Sequence, residues 1–258
     1  MRKFGDKQPH IGIVAGTAEG AALCYRTLCL EAEKEHQSVR PEITLHSFPL
    51  QWYLDAIDRD DWTGVASLLS QAAAKLERVG ADFIVCPNNT LHKAFDLIDS
   101  PIPWVHIAQP VVEKVSEQQW HRVGILGTQT VMDGGVYAEA FHQSHIESVL
   151  PEKHDRIRIH DIIRNELVAG LFTHTSRAFF QKVVGDMALK GAEAVVLACT
   201  ELPLLMSGYH TAVPLLDSTR LLAQAALRHI RLEDEYLIKT CVTGSHSLQL
   251  VNNYPHCG

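Results

Sequence analysis

The sequence lacks the features that typify membrane and nucleic-acid-binding proteins. No apolar stretch approaches the roughly 18–20 residues that span a bilayer. No run of Lys or Arg supplies the clustered positive charge that nucleic acids and anionic membranes attract, and the 258-residue chain has a formal net charge of -7. Residues 1–10 have no apolar core after their basic residues, so we expect no secretion signal and a cytoplasmic location. These absences predict a protein with neither a nucleic-acid nor a membrane partner.

Recognisable metal and nucleotide motifs are also absent. The six cysteines contain no C-x-x-C pair, so neither a zinc ribbon nor a disulfide framework is indicated. The glycine-rich segment 15–22 lacks both G-x-G-x-x-G and the P-loop lysine, and the 15 histidines form no H-E-x-x-H pattern. The cysteines and histidines of the tail, 236–258, match no common metal site, and we expect a packing arm or an irregular end there. The sequence therefore predicts no metal and no cofactor.

Short apolar runs alternate with longer amphipathic segments along the chain. The runs predict strands at 11–15, 42–46, 82–86, 104–107, 122–126, 156–160, 194–198 and 213–217. Helical spacing of apolar residues predicts helices at 18–34, 62–79, 131–148 and 176–189. Strands that alternate with helices predict an α/β protein with parallel sheets covered on both faces.

An internal repeat divides this pattern into two halves. Residues 80–85 (GADFIV) resemble 191–196 (GAEAVV) at an offset of 111, and 12–16 (GIVAG) resemble 124–128 (GILGT) at an offset of 112. The offsets agree within one residue, which predicts two pseudo-symmetric α/β domains. Ligands of open α/β sheets bind beyond the carboxyl ends of the strands, so we expect the active site in the cleft between the domains.

The repeat aligns two strand ends that carry small polar side chains. At an offset of 111, Asn88-Asn89-Thr90 falls on Cys199-Thr200-Glu201. Backbone N–H groups and hydroxyls at the start of a helix can bind an anion such as a carboxylate. A cysteine at a helix start has a lowered pKa, although a nearby Glu201 carboxylate would oppose that effect. Cys199 is therefore the candidate nucleophile or acid–base group.

Four segments resemble motifs of the aspartate/glutamate racemase superfamily, and within it the aspartate racemase branch. They are 11–22 (IGIVAGTAEGAA), 87–92 (PNNTLH, against Pro-Cys-Asn-Thr-Ala-His), 123–130 (VGILGTQT) and 198–205 (ACTELPLL, against Gly-Cys-Thr-Glu-Ile-Pro-Leu-Leu). The resemblance implies a cofactor-independent isomerase that moves the α-proton of an amino acid with one cysteine from each half. It also implies a homodimer, with a first domain at 1–114 plus 217–258 and a second at 115–216.

The same resemblance assigns further residues to the site. Asn89, Thr90, Thr128, Thr130 and Thr200 would hold the substrate carboxylate. Glu166 and Glu201 would lie near the second-half cysteine, and we expect Gly16 and Gln51 to line the substrate site.

The first-half cysteine of the family is missing, because Asn88 occupies its position. A carboxamide cannot act as a general base at ordinary pH. Three hypotheses follow. Cys199 works alone with water on the opposite face, or Cys86 substitutes from about 6–7 Å back along the strand, or the reaction is a single-thiol decarboxylation or cis–trans isomerisation. A catalytically weak carboxylate-binding protein is the alternative outside enzymes.

The substrate side chain is expected to differ from that of aspartate. Aspartate-specific relatives are expected to hold the second carboxylate with an Arg after the second strand and a Lys before the Gly of the Glu-Leu motif. Here 46–58 (HSFPLQWYLDAID) contains neither Arg nor Lys, and Ala169 precedes Gly170. A neutral, amide or aromatic side chain is therefore predicted, unless Arg164 points into the site.

Overall fold

Two sheets with the same strand order form the framework of the protein, described by a computed structural model over residues 9–34, 41–232 and 238–239. The first half contains β1 (His10–Ala15), α1 (Ala18–Lys34), β2 (Glu42–Ser47), α2 (Leu50–Asp58), α3 (Trp62–Arg78), β3 (Phe83–Val85), a 3₁₀ helix (Thr90–Leu97), β4 (Trp104–Val105) and α4 (Gln109–Glu117). The second contains β5 (Arg122–Gly127), α5 (Gln129–Asp133), α6 (Ala138–Gln143), β6 (Glu147–Val149), α7 (Lys153–Asn165), a 3₁₀ turn (Leu167–Ala169), α8 (His174–Leu189), β7 (Ala194–Ala198), α9 (Leu202–Met206) and β8 (Leu215–Asp217). The elements α10 (Ser218–Leu232) and β9 (Ile238–Lys239) follow.

The strand orders confirm the predicted doubling. The first sheet runs β2-β1-β3-β4 and the second β6-β5-β7-β8, all parallel, with β9 added antiparallel to β4. The turns before β3 and β7 also match, because Gly80 (φ +90°) and Gly191 (φ +89°) both adopt the left-handed conformation that ends a helix. The predicted two-domain α/β fold is therefore confirmed, with a short fifth strand that the sequence analysis did not anticipate.

The burial patterns explain why these segments take their structures. All six residues of β1 are buried, since the sheet has helices on both faces. In α3 the buried residues recur at helical spacing, and the Asp61 carboxylate caps the helix by accepting the Gly64 N–H at 2.7 Å. In α8, Thr173 plays the same part by accepting the Ser176 N–H at 3.0 Å.

Two predicted elements in the second half are wrong. The predicted strand at 156–160 lies inside α7, where Ile159, Ile162 and Ile163 are buried at helical spacing and the apparent alternation is incidental. The predicted helix at 131–148 ends at Asp133, where two glycines follow, and the chain then forms α6 and the short strand β6.

The helix α10 returns to the first half of the molecule. It packs against α1 and α4, and its buried residues Leu222 and Leu227 belong to the same cluster as Cys24 and Leu28 of α1. This packing is compatible with the expected first domain, 1–114 plus 217–258. The domain division itself stays a prediction. The tail at 236–258 lies outside the described residues, apart from the two residues of β9.

Within the described ranges, no helix is both long and apolar enough to cross a bilayer.

Candidate active site

The carboxyl ends of strands from both halves meet across two hydroxyl pairs. The Oγ1 atoms of Thr17 and Thr200 lie 3.2 Å apart, and those of Thr90 and Thr128 lie 3.0 Å apart. Each pair joins a residue that follows a first-half strand to one that follows a second-half strand. The carboxyl ends of the two sheets therefore lie close together, and ligands of open α/β sheets bind beyond such ends.

The backbone at Gly20, in the first turn of α1, brings the two aligned strand ends close together. A Cβ atom at Gly20 would lie 2.6 Å from Cγ2 of Thr200 and 2.7 Å from the carbonyl oxygen of Pro87. Thr200 adjoins Cys199 and Pro87 adjoins Asn88. The two positions that the repeat aligned thus flank one small region of the molecule.

Cys199 follows β7 and is buried, with 8% of its surface exposed. Its thiol donates to Oε2 of Glu201 at 3.0 Å, and the Thr200 hydroxyl donates to the same oxygen at 2.7 Å. Burial, followed by the Glu201 carboxylate, raises the pKa of the Cys199 thiol well above its ordinary value.

The expected lowering of the Cys199 pKa by a helix start is therefore wrong. Burial and, after it, the adjacent Glu201 carboxylate raise the pKa, and the helix that follows, α9, has only five residues. At neutral pH the sulfur is a protonated thiol, suited to donating a proton.

Asn88 lies against bare backbone at the end of β1. A Cβ atom at Gly16 would lie 2.3 Å from Nδ2 of Asn88, so only glycine leaves space for this side chain. Oδ1 of Asn88 accepts the Leu91 N–H at 3.2 Å, and its carbonyl accepts from Nδ1 of His92 at 2.9 Å. Burial lowers the pKa of His92 to about 4, so this imidazole is neutral at physiological pH. Asn88 is half-buried and is fixed in place by the turn that follows it.

Asn89 is held by groups that the sequence analysis did not identify. The Tyr137 hydroxyl donates to Oδ1 of Asn89 at 2.5 Å, and Nδ2 of Asn89 donates to Oγ of Ser218 at 3.0 Å. Ser218 in turn donates to the carbonyl of Leu197 at 3.0 Å. The four family-like segments of the sequence contain neither Ser218 nor Tyr137.

The remaining candidates have other partners. Glu166 accepts from the hydroxyl of Ser176 and, at 3.4 Å, from that of Thr173. Gln51 is exposed on α2 and donates to Asp55 at 2.7 Å. Thr130 is half-buried in α5. The hydrogen bonds recorded for the described residues do not link Glu166 or Gln51 to Cys199 or Asn88.

Arg164 is paired within the protein. Its guanidinium binds Asp58 through two contacts of 2.7 and 3.3 Å, which join the end of α7 to the end of α2. This bidentate pair lowers the pKa of Asp58 and spans the two halves. In the observed arrangement Arg164 neutralises an acid of the protein itself.

Comparison with known proteins gives a consistent result. The family model described as Asp/Glu/Hydantoin racemase matches residues 17–226. The broad specificity amino-acid racemase RacX of Bacillus subtilis (strain 168) is 24% identical over 190 residues, which cover 72% of this chain and 81% of that protein.

Solved structures extend the comparison to the fold. A candidate Asp/Glu racemase from Yersinia pestis is 29% identical with a TM-score of 0.78, covering 87% of this chain and 100% of that one. An aspartate racemase homologue from Pyrococcus horikoshii OT3 is 26% identical with a TM-score of 0.73, covering the same 87% and 100%. With its doubled sheets and its strand-end cysteine, threonines and glutamate, the chain belongs to the Asp/Glu/Hydantoin racemase family.

Proposed function

We propose that the protein is a cofactor-independent, racemase-like isomerase that acts at the α-carbon of an amino acid or related carboxylate with one thiol. Cys199, at the carboxyl end of β7 in a racemase-family fold, is the observation that carries the proposal. The thiol exchanges the α-proton on its own face of the substrate. Asn88 lines the opposite face and supplies no proton.

The Thr90–Thr128 hydroxyl pair serves as the cradle for the substrate carboxylate. Thr90 and Thr128 are half-buried and 3.0 Å apart, so both hydroxyls can turn toward an anion placed beside the pair. Donors aimed at the carboxylate stabilise the negative charge that spreads onto it when the α-proton leaves. The Thr200 hydroxyl lies beside the thiol, where it donates to Glu201 and positions that carboxylate.

Cys86, the buried thiol nearest to Asn88 in the sequence, does not take the place of the missing cysteine. Cys86 belongs to the apolar cluster beneath α2 and α3, where burial raises its pKa to about 12. Cys86 is 1% exposed and lies two residues before Asn88, so it does not take up the aligned strand-end position. On the Asn88 face the proton is exchanged with water, so turnover is slow.

The substrate carries a neutral side chain in this proposal. Arg164, the cation named as a possible partner for a second carboxylate, is paired with Asp58. A second carboxylate left unpaired on burial would weaken binding by about 2–5 kcal/mol. The Bacillus subtilis relative is named a broad specificity amino-acid racemase, and a neutral substrate is compatible with that name.

Exchange of the α-proton in D₂O tests the proposal directly. A panel of neutral amino acids and both enantiomers of aspartate are incubated with the protein, and loss of the α-proton signal is followed by NMR. Cys199→Ala is expected to abolish exchange, whereas Cys29→Ala, which removes a half-buried thiol of α1, is expected to retain it. Undiminished exchange by Cys199→Ala would overturn the assignment, and high turnover of aspartate would overturn the neutral substrate.

A second candidate follows from the protonated state of Cys199. A thiol with a raised pKa is a proton donor, and a carbanion formed by loss of CO₂ from a geminal dicarboxylate needs one proton. Release of CO₂ from substituted malonates, dependent on Cys199, would favour this decarboxylase over the isomerase. Ligand binding without exchange or CO₂ release would leave a carboxylate-binding protein.

We also propose that the protein is a cytoplasmic homodimer. The family resemblance supports the dimer, and the requirement for a free Cys199 thiol supports a reducing compartment. Light scattering after size-exclusion chromatography measures the mass of the assembly, and a mass of one chain would contradict the homodimer.

A further inference from the structure

We propose that Tyr137 is a positioning residue that holds the turn carrying Asn88 and Thr90 in register with the strand that carries Cys199. The inference rests on the proposed function, because it concerns side chains that face the substrate there. It assigns Asn89 to this scaffold, in place of the carboxylate-binding role that the family resemblance implies.

A chain of three hydrogen bonds crosses between the halves. Tyr137, between α5 and α6, donates to Asn89 at 2.5 Å, Asn89 donates to Ser218 at 3.0 Å, and Ser218 donates to the Leu197 carbonyl at 3.0 Å. Leu197 lies on β7, two residues before Cys199. The network therefore ties the turn after β3 to the backbone of the strand that ends at the thiol.

The network is sealed from solvent. Tyr137, Asn89 and Ser218 are 1%, 2% and 0% exposed. Burial raises the pKa of Tyr137, so the phenol remains a neutral donor. Water cannot replace a lost partner in such a place, and removal of the phenol leaves Oδ1 of Asn89 without its donor.

The turn depends on Asn89 for its geometry. The carbonyl of Asn89 accepts the His92 N–H at 3.1 Å, while Oδ1 of the neighbouring Asn88 accepts the Leu91 N–H at 3.2 Å. If Asn89 loses its anchor, both bonds of this turn weaken together. The Asn88 amide and the Thr90 hydroxyl then lose their fixed positions, although neither of them is altered.

Tyr137→Phe is the test, and Tyr53→Phe is its matched control. Tyr53 is 1% exposed, and its hydroxyl has no hydrogen-bond partner among the described residues, so the control removes the same atom without breaking a bond. Native-state hydrogen exchange is expected to be about tenfold faster at the Leu91 and His92 amides of Tyr137→Phe. It is expected to be unchanged in the control.

Kinetics supply a second readout. Because Thr90 belongs to the carboxylate cradle, Tyr137→Phe is expected to raise KM for α-proton exchange about tenfold, with a smaller change in kcat. An increase in KM of this size in Tyr53→Phe as well would contradict a specific role for Tyr137.

The outcomes separate this inference from the proposed function. Equal amide exchange at Leu91 and His92 in the two variants overturns the role of Tyr137, whether or not the protein turns over a substrate. Absence of Cys199-dependent chemistry in the wild type overturns the proposed function and leaves the amide result standing. If Tyr137→Phe does not fold, Ser218→Ala removes the hydrogen bond between Asn89 and Ser218. It is expected to speed hydrogen exchange at the Leu91 and His92 amides. Failure of both to fold overturns positioning in favour of a general folding role.

Discussion

The carboxylate beside Cys199 is expected to limit how well the thiol acts as a base, and Glu201→Gln tests this. Oε2 of Glu201 lies 3.0 Å from the sulfur. At that distance a thiolate and a carboxylate repel each other by about 1.4 kcal/mol in bulk water and about 5.5 kcal/mol at an effective dielectric constant of 20. Even the smaller repulsion suppresses the thiolate about tenfold. The amide of Gln keeps an acceptor for Thr200 but removes the charge.

The sign of the pH dependence follows from the raised pKa. Below that pKa the thiol form dominates, so a step that needs the thiolate becomes faster as the pH rises. Glu201→Gln lowers the pKa of the thiol, so exchange at neutral pH is expected to be at least about tenfold faster, and the profile moves to lower pH.

Rates of α-proton exchange in D₂O between about pH 6 and about pH 10 provide the measurement. Glu139→Gln is the matched control, because Glu139 is exposed on α6 and accepts a hydrogen bond from Gln143 on the same helix. Slower exchange by Glu201→Gln at every pH, with an unshifted profile, would refute the reasoning. Glu201 would then be a proton relay for the thiol.

Three further predictions concern specificity, binding and stability. Asp58→Asn frees the guanidinium of Arg164 and is expected to raise turnover of aspartate relative to a neutral amino acid about two- to fivefold, and an unchanged ratio in a competition assay would contradict this. Thr128→Val removes the hydroxyl opposite Thr90 and is expected to raise KM about tenfold with little change in kcat, whereas an unaltered KM would exclude the cradle. Phe180→Ala empties a fully buried position and is expected to lower the free energy of unfolding by about 3–5 kcal/mol in a denaturant titration, and a loss below about 1 kcal/mol would show that the core refills the space.

Sequence reasoning identified the doubled fold because its signals are local. The buried runs of β1 and β7 end abruptly, and the matched turns at Gly80 and Gly191 recur at a fixed offset. Each buried run and each glycine turn is recognised from neighbouring residues, and comparing their positions along the sequence shows the repeat. Dependence on short segments also explains why the predicted strand at 156–160 is wrong. Its five residues alternate like a strand, whereas the helical spacing of α7 becomes clear only over the full helix.

The contacts that complete the site could not be predicted in this way. Tyr137 meets Asn89, and Arg164 meets Asp58, only after segments far apart in the chain have packed together. The pKa of Cys199 illustrates the same point. A helix start alone predicts a lower value, but burial and the direction of one Glu side chain reverse it.

The absence of a side chain at Gly16 has a consequence for substitutions at position 88. The neighbouring Asn88 side chain rests directly on that glycine, so a smaller group at position 88 meets no obstruction there. A cysteine is smaller than asparagine and can be introduced without repacking the end of β1. One substitution could thereby place sulfur atoms at both aligned strand ends, and any gain in two-way interconversion of enantiomers would measure what the second sulfur contributes.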